Sequence, residues 1–94
     1  MNKIICSAIH FDDGCRHVHQ PKNIDRGFVI CGRRHHNCYT TYALIKNADM
    51  RAPNEQGFLT DDDRFVDREE GMRIAFEAGQ IPEKKLRLFS EDLY

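Results

Sequence analysis

The stretch Asp67-Arg68-Glu69-Glu70-Gly71-Met72-Arg73-Ile74-Ala75-Phe76-Glu77-Ala78-Gly79 carries the clearest local instruction in the chain. Asp67 can accept hydrogen bonds from the first free amides of a helix, and Glu70, three residues on, completes a capping-box-like pair. Met72, Ala75 and Phe76 form the apolar stripe of that helix. Gly79 suits the left-handed residue past its end, and Pro82 forbids a quick restart.

Working outward, Asp61-Asp62-Asp63 reads as a turn between a short strand at Phe58 to Thr60 and a returning strand at Arg64-Phe65-Val66. Met50 to Gln56 reads as loop. Downstream, Leu86 to Phe89 reads as a last strand before the polar-aromatic tail Ser90 to Tyr94.

In the first half, Lys3 to Phe11 alternates as a strand, with Ile5, Ser7, Ile9 and Phe11 on one face and Ile4, Cys6, Ala8 and His10 on the other. Asp12-Asp13-Gly14 is a turn, after which Cys15 to His19 can return as a hairpin partner. Gln20-Pro21-Lys22-Asn23 is loop, because proline cannot donate to a ladder. Gly27 to Gly32 holds Phe28-Val29-Ile30-Cys31, the short apolar run of a buried strand. Asn37 can then cap a helix reaching about Asn47, with Cys38, Tyr42 and Ile45 on its buried face. The expected fold is α+β: one domain over residues 1–94, with a small antiparallel sheet of five or six short strands and two helices.

Composition bounds what such a chain can do. With 94 residues it can bury only one modest core, and assembly into an oligomer would add the apolar contact it lacks. A 40% apolar and 31% charged composition suits a globular protein, and a net charge of −1 argues against a stable nucleic-acid partner. Residues 1–48 hold seven Lys/Arg against three Asp, and residues 49–94 hold seven against twelve Asp/Glu, which predicts a basic face and an acidic one. No apolar run reaches the length of a membrane span, and the first residues lack a signal-peptide core. The expected setting is the cytosol of the host cell, with all four cysteines as thiols.

The segment Cys31-Gly32-Arg33-Arg34-His35-His36-Asn37-Cys38 carries the most suggestive chemistry. It sets two guanidiniums and two imidazoles at a helix N-terminus, whose free amides and partial positive charge favour phosphate. Arg64-Phe65-Val66-Asp67-Arg68 is a second candidate, with Arg64 and Arg68 for phosphate and Phe65 to stack on a base. The competing reading of each is structural: a basic turn in the first, and core packing, capping and ion pairs in the second. Zinc competes for Cys31, His35 and Cys38, with Cys15, His17 or His19 as a fourth ligand. No pair has the usual spacing, however, and buried thiols are common core residues, so neither a metal nor a cofactor is assigned. His17 and His19 would share one side of a strand, but the hydroxyl residue that paired-histidine phosphoesterases place two positions on is missing. No nucleophile elbow, zinc-protease or P-loop pattern is present.

Several stretches, His19-Gln20-Pro21-Lys22-Asn23-Ile24, Cys31 to Cys38, Gly57 to Glu70, Ala78-Gly79-Gln80-Ile81 and Leu88 to Leu93, resemble a family of small proteins common in phage and prophage genomes. Functionally the chain resembles the phage Thoeris anti-defence sponges, which capture cyclic ADP-ribose-type immune signals and leave them uncleaved, although it is shorter than those proteins. That resemblance implies a homo-oligomer that sequesters a small nucleotide and transforms nothing. Local chemistry supplies its ligand contacts: Arg33, Arg34, His35, His36, Asn37, Arg64, Phe65 and Arg68. An inhibitor that binds a host defence protein directly and a small phosphodiesterase or nucleotide hydrolase are the alternatives.

Overall fold

A computed structural model describes residues 2–45 and 53–93. Four strands, β1 (Ile4–Phe11), β2 (Phe28–Gly32), β3 (Asn54–Thr60) and β4 (Phe65–Asp67), form one antiparallel sheet in the order β2-β1-β3-β4. Among the described residues three helices accompany it: α1 (His35–Leu44), α2 (Arg68–Glu77) and the one-turn α3 (Ser90–Leu93). The α+β class and the antiparallel sheet are as expected, with four strands and a short third helix instead of five or six strands and two helices. No helix among the described residues is long and apolar enough to cross a membrane.

Both long helices lie on one face of the sheet. Ser7 pairs with Phe58 and Gly32, and Phe58 pairs with Val66, so side-chain alternation puts Ser7, Ile9, Phe11, Ile30, Phe58 and Val66 on that face. Under α1, Ile9, Phe11 and Ile30 pack with Cys38 and Tyr42, the Tyr42 ring stacking on Phe11 at 3.9 Å between centroids. Under α2, Ile4, Phe58 and Val66 pack with Met72, Ile74, Ala75, Ile81 and Leu88. The register shifts between Ile4 and Cys6, so Ile4 turns into the core and Ile5 is exposed, the reverse of strict alternation.

The opposite face is covered by irregular chain, and here two expected strands give way. Cys15 to His19 forms no strand; His19 takes a positive φ of 60°, and the segment belongs to the connection between β1 and β2. That connection spans the sheet. Gln20 Oε1 accepts from Val29 N–H at 2.9 Å on β2, and the Asn23 amide accepts from Phe65 N–H and donates to Phe65 C=O on β4, at 2.8 and 2.7 Å. His17 therefore does not share a strand side with His19; it bonds Asp13 at 2.8 Å. Leu86 to Phe89 is likewise not a strand, because Leu88 is drawn into the α2 core, where its N–H donates to the Arg68 carbonyl at 2.9 Å.

Helix boundaries follow local chemistry with small shifts. Asp67 caps α2, accepting from Glu70 N–H at 2.8 Å, while the Glu70 carboxylate turns to Arg73 and leaves the box half made. The buried face of α2 is Gly71, Met72, Ile74 and Ala75, whereas Phe76 is 40% exposed, so the stripe is rotated from the expected one toward Gly71 and Ile74. Gly79 takes the left-handed conformation at φ 74°. In α1 the cap is Arg34 and not Asn37, whose side chain reaches back to accept from Arg34 N–H at 3.1 Å. Ile45 is extended and exposed, ending α1 at Leu44; the turn expected to reach Asn47 runs into residues 46–52, outside the described ones. The loop expected up to Gln56 gives way to strand from Asn54, and its Met50 to Ala52 portion also lies outside the described residues.

Gly57, in the middle of β3, has no room for a side chain: an added Cβ would stand 2.1 Å from the Val66 carbonyl oxygen and 2.7 Å from Phe65 Cζ. Because backbone cannot yield as a side-chain tip can, Gly57→Ala is expected to cost about 3 kcal/mol or more in urea unfolding. Gly79→Ala meets open space and only the left-handed penalty, about 1–2 kcal/mol. Equal costs for the two would show that the strand spacing around Gly57 is not the constraint.

Candidate functional site

The two long helices begin at the same place. His35 is the first residue of α1 and Arg68 the first of α2, and Arg68 Nη2 lies 3.5 Å from His35 Nδ1. His35 is 7% exposed; its Nε2 donates to the Gly57 carbonyl at 2.8 Å, and its ring meets Phe58 edge-on at 5.1 Å. With the proton on Nε2, Nδ1 is the acceptor that faces the guanidinium. Burial holds the His35 imidazolium below its ordinary pKa of 6.5, so the ring is neutral near pH 7.

Arg68 is held by uncharged partners. Nη1 donates to Leu88 C=O at 2.8 Å, Nη2 bonds Gln56 Oε1 as well as His35, and the guanidinium lies over the Phe89 ring at 4.6 Å. Gln56 is oriented in turn: its Nε2 donates to Tyr39 Oη at 3.1 Å, and Tyr39 Oη–H donates to Asn54 Oδ1 at 2.9 Å. A guanidinium carries five N–H donors, of which Nε–H and one Nη1–H are not used by these partners. Among the described residues no carboxylate forms an ion pair with Arg68. Desolvation is the largest influence on its charge, opposed by Glu91 at longer range and joined by repulsion from Arg87. Arg34, half-buried at the α1 cap, reaches Glu91 at 3.5 Å.

Beside Arg68 the sheet leaves a gap. Pairing of β3 with β4 ends at Gly57 and Asp67, where the chain turns into α2, while β3 continues to Asn54. The space beyond the end of β4 is an open cavity of about 230 Å³, lined by Glu55, Gln56, Asp67, Arg68, Glu69 and Arg87.

The expected site residues therefore divide. Arg34, His35 and Arg68 gather at the paired helix starts, with Asn37 fixing the backbone of Arg34. His36 is exposed on the first turn of α1, and Arg33 is exposed just after β2. Arg64 and Phe65 are elsewhere. Arg64 pairs with Asp62 at 2.9 Å in the β3–β4 turn. Phe65 points to the opposite face of the sheet, 7% exposed, with His10 at 5.8 Å. Gln56, Arg87, Phe89 and Glu91 join the site without having been expected; Arg87 and Phe89 flank buried Leu88, and their alternation about it was the available signal. The thiols are also divided: Cys38 is buried, Cys6 half-buried, and Cys15 and Cys31 exposed, the last against the expectation of an apolar face. Among the described residues no three His, Cys, Asp or Glu side chains come together as metal ligands.

The buried imidazole gives the fold a pH dependence. Folding favours neutral His35, so its contribution is complete above the ordinary value of 6.5 and is lost as pH falls through the lowered folded value. The urea midpoint should fall between about pH 7 and pH 5 in the native chain and fall less in His35→Gln, whose amide can still donate to Gly57. Parallel curves for the two proteins would show that His35 is not the group responsible.

No curated protein and no solved structure matches the chain. A protein family described as Phage T4 y16D protein matches residues 3–94, and the chain belongs to that family of phage proteins.

Proposed function

We propose that the chain binds a nucleotide immune signal by its phosphate and sequesters it uncleaved, as a phage anti-defence protein. One observation carries the reading: two helix N-termini converge on Arg68, a half-buried guanidinium whose direct partners are all neutral. Each helix adds partial positive charge at that point, and an uncompensated cation in a desolvated setting favours an arriving anion. Arg87 lines the same cavity, Arg34 caps the neighbouring helix start and is paired with Glu91, and half-exposed Phe89 takes the base-stacking part first given to Phe65. The site is open on one side, so a second protomer closing it fits the oligomer implied by the resemblance to the anti-defence sponges. Both nitrogens of His35 are already engaged, which favours holding a ligand over proton transfer to it.

Gln56→Glu tests the reading while keeping the acceptor oxygen that Arg68 bonds; the donor it loses toward Tyr39 Oη can be replaced by the tyrosine hydroxyl turning to donate to the carboxylate. It offers Arg68 a carboxylate of the same shape, so folding should be retained while capture of cyclic ADP-ribose or ADP-ribose weakens about tenfold or more, the loss of one charge-assisted contact. Ligand released by denaturing the native complex should return chemically intact. Cleaved ligand, or unchanged affinity in a folded Gln56→Glu protein, would overturn the proposal.

A further inference from the structure

The cavity beyond the end of β4 has a lining that a bare polyphosphate does not explain. Asp67 is occupied in capping α2 and Gln56 in holding Arg68. The other three side chains, Glu55, Glu69 and Arg87, make no hydrogen bond or ion pair among the described residues, although both signs of charge border the same space. Arg87 lines the same cavity as Arg68, a like charge. Two guanidiniums near one another suit a group with more than one negative charge, such as a phosphate. Ionised carboxylates are acceptors only, so Glu55 and Glu69 call for O–H or N–H donors. A chain of phosphates would meet those two carboxylates with repulsion. A volume of about 230 Å³ is also less than the roughly 300–1,000 Å³ of a pocket for a whole ligand, so it holds one part of a nucleotide, with Phe89 outside for the base.

We infer that this cavity is a ribose-phosphate subsite, in which Arg68 and Arg87 take the phosphate and Glu55 and Glu69 accept from the ribose hydroxyls. The inference rests on the nucleotide reading above and adds the sugar: the recognised ligand is a ribonucleotide with a free hydroxyl pair, not a deoxynucleotide. An acidic amino acid offers donors and two carboxylates too, but its two anions are separated along its chain, whereas a phosphate places its charge on one centre that both guanidiniums can reach.

Calorimetric titration of the full chain with AMP, 2′-deoxy-AMP, adenosine and free glutamate tests it, alongside cyclic ADP-ribose. AMP should bind at least about tenfold more tightly than 2′-deoxy-AMP, adenosine or glutamate. The double variant Glu55→Gln, Glu69→Gln should bring AMP and 2′-deoxy-AMP closer together, and Arg87→Gln, an exposed change, should weaken both equally. Equal affinity for AMP and 2′-deoxy-AMP in the native chain, or tighter binding of glutamate, would overturn the subsite. Capture of cyclic ADP-ribose without binding of AMP would overturn the subsite and leave nucleotide sequestration standing. Binding of neither would remove both.

Discussion

Gly57 is the residue to which both helix starts are fixed. Its carbonyl accepts from His35 at the head of α1, and the residue pairs in register with Asp67, the cap of α2. On its other side Gly57 pairs with Ala8 in the central strand, and the Phe65 ring occupies the space of its missing side chain. One residue without a Cβ thus sets the spacing of three strands, and its carbonyl and register hold the two helix starts. The bond to His35 also decides chemistry, since a proton committed to Nε2 leaves Nδ1 as an acceptor for Arg68.

Sheet edges are finished by side-chain amides in place of further strands. Gln20 covers a free N–H of β2, and Asn23 makes both bonds of a ladder partner to Phe65 on the outer side of β4. Gln80 does the same for Ile4, accepting from its N–H and donating to its C=O at 2.8 Å each. A carboxamide holds a donor and an acceptor side by side, so it can substitute for a peptide group where there is no room for another strand. This explains why a chain with fewer strands than its alternating segments suggested still satisfies its edges.

Features governed by neighbours in sequence were legible beforehand. The cap at Asp67, the stop at Gly79, the β3–β4 hairpin and the alternation of Ser7, Ile9 and Phe11 all follow from spacing within a few residues. What failed depended on distant partners. The shift at Ile5 is set by pairing with β3, and His17 and His19 were lost from a strand because their segment crosses the sheet. Leu88 was drawn from a strand by the core of α2. In the site, Arg34, His35 and Arg68 were readable as helix-start residues. The assignment of Phe65 as a stacking partner failed on parity: a strand side chain one position from Val66 must face the other way. Gln56 and Phe89 lie 12 and 21 positions from Arg68, and nothing local ties them to it.

Arg68 differs from the ion-paired arginines in what it touches. Arg64 rests on Asp62, Arg73 on Glu70 and Glu77, Arg34 on Glu91, and Arg16 on Asp25. Arg68 is held instead by a carbonyl, an imidazole and an amide. The amide is the telling member, because glutamate has the same shape as Gln56 and would neutralise the guanidinium where it stands. A neutral acceptor positions the cation equally well and leaves it with no bonded carboxylate, Glu91 acting only at longer range. For an arginine whose task is only to tie Leu88 to β3, that arrangement is one of two workable ones, the amide also serving Tyr39 through its Nε2–H. For one that must receive an anion from solvent it is required, since a resident carboxylate would have to be displaced first.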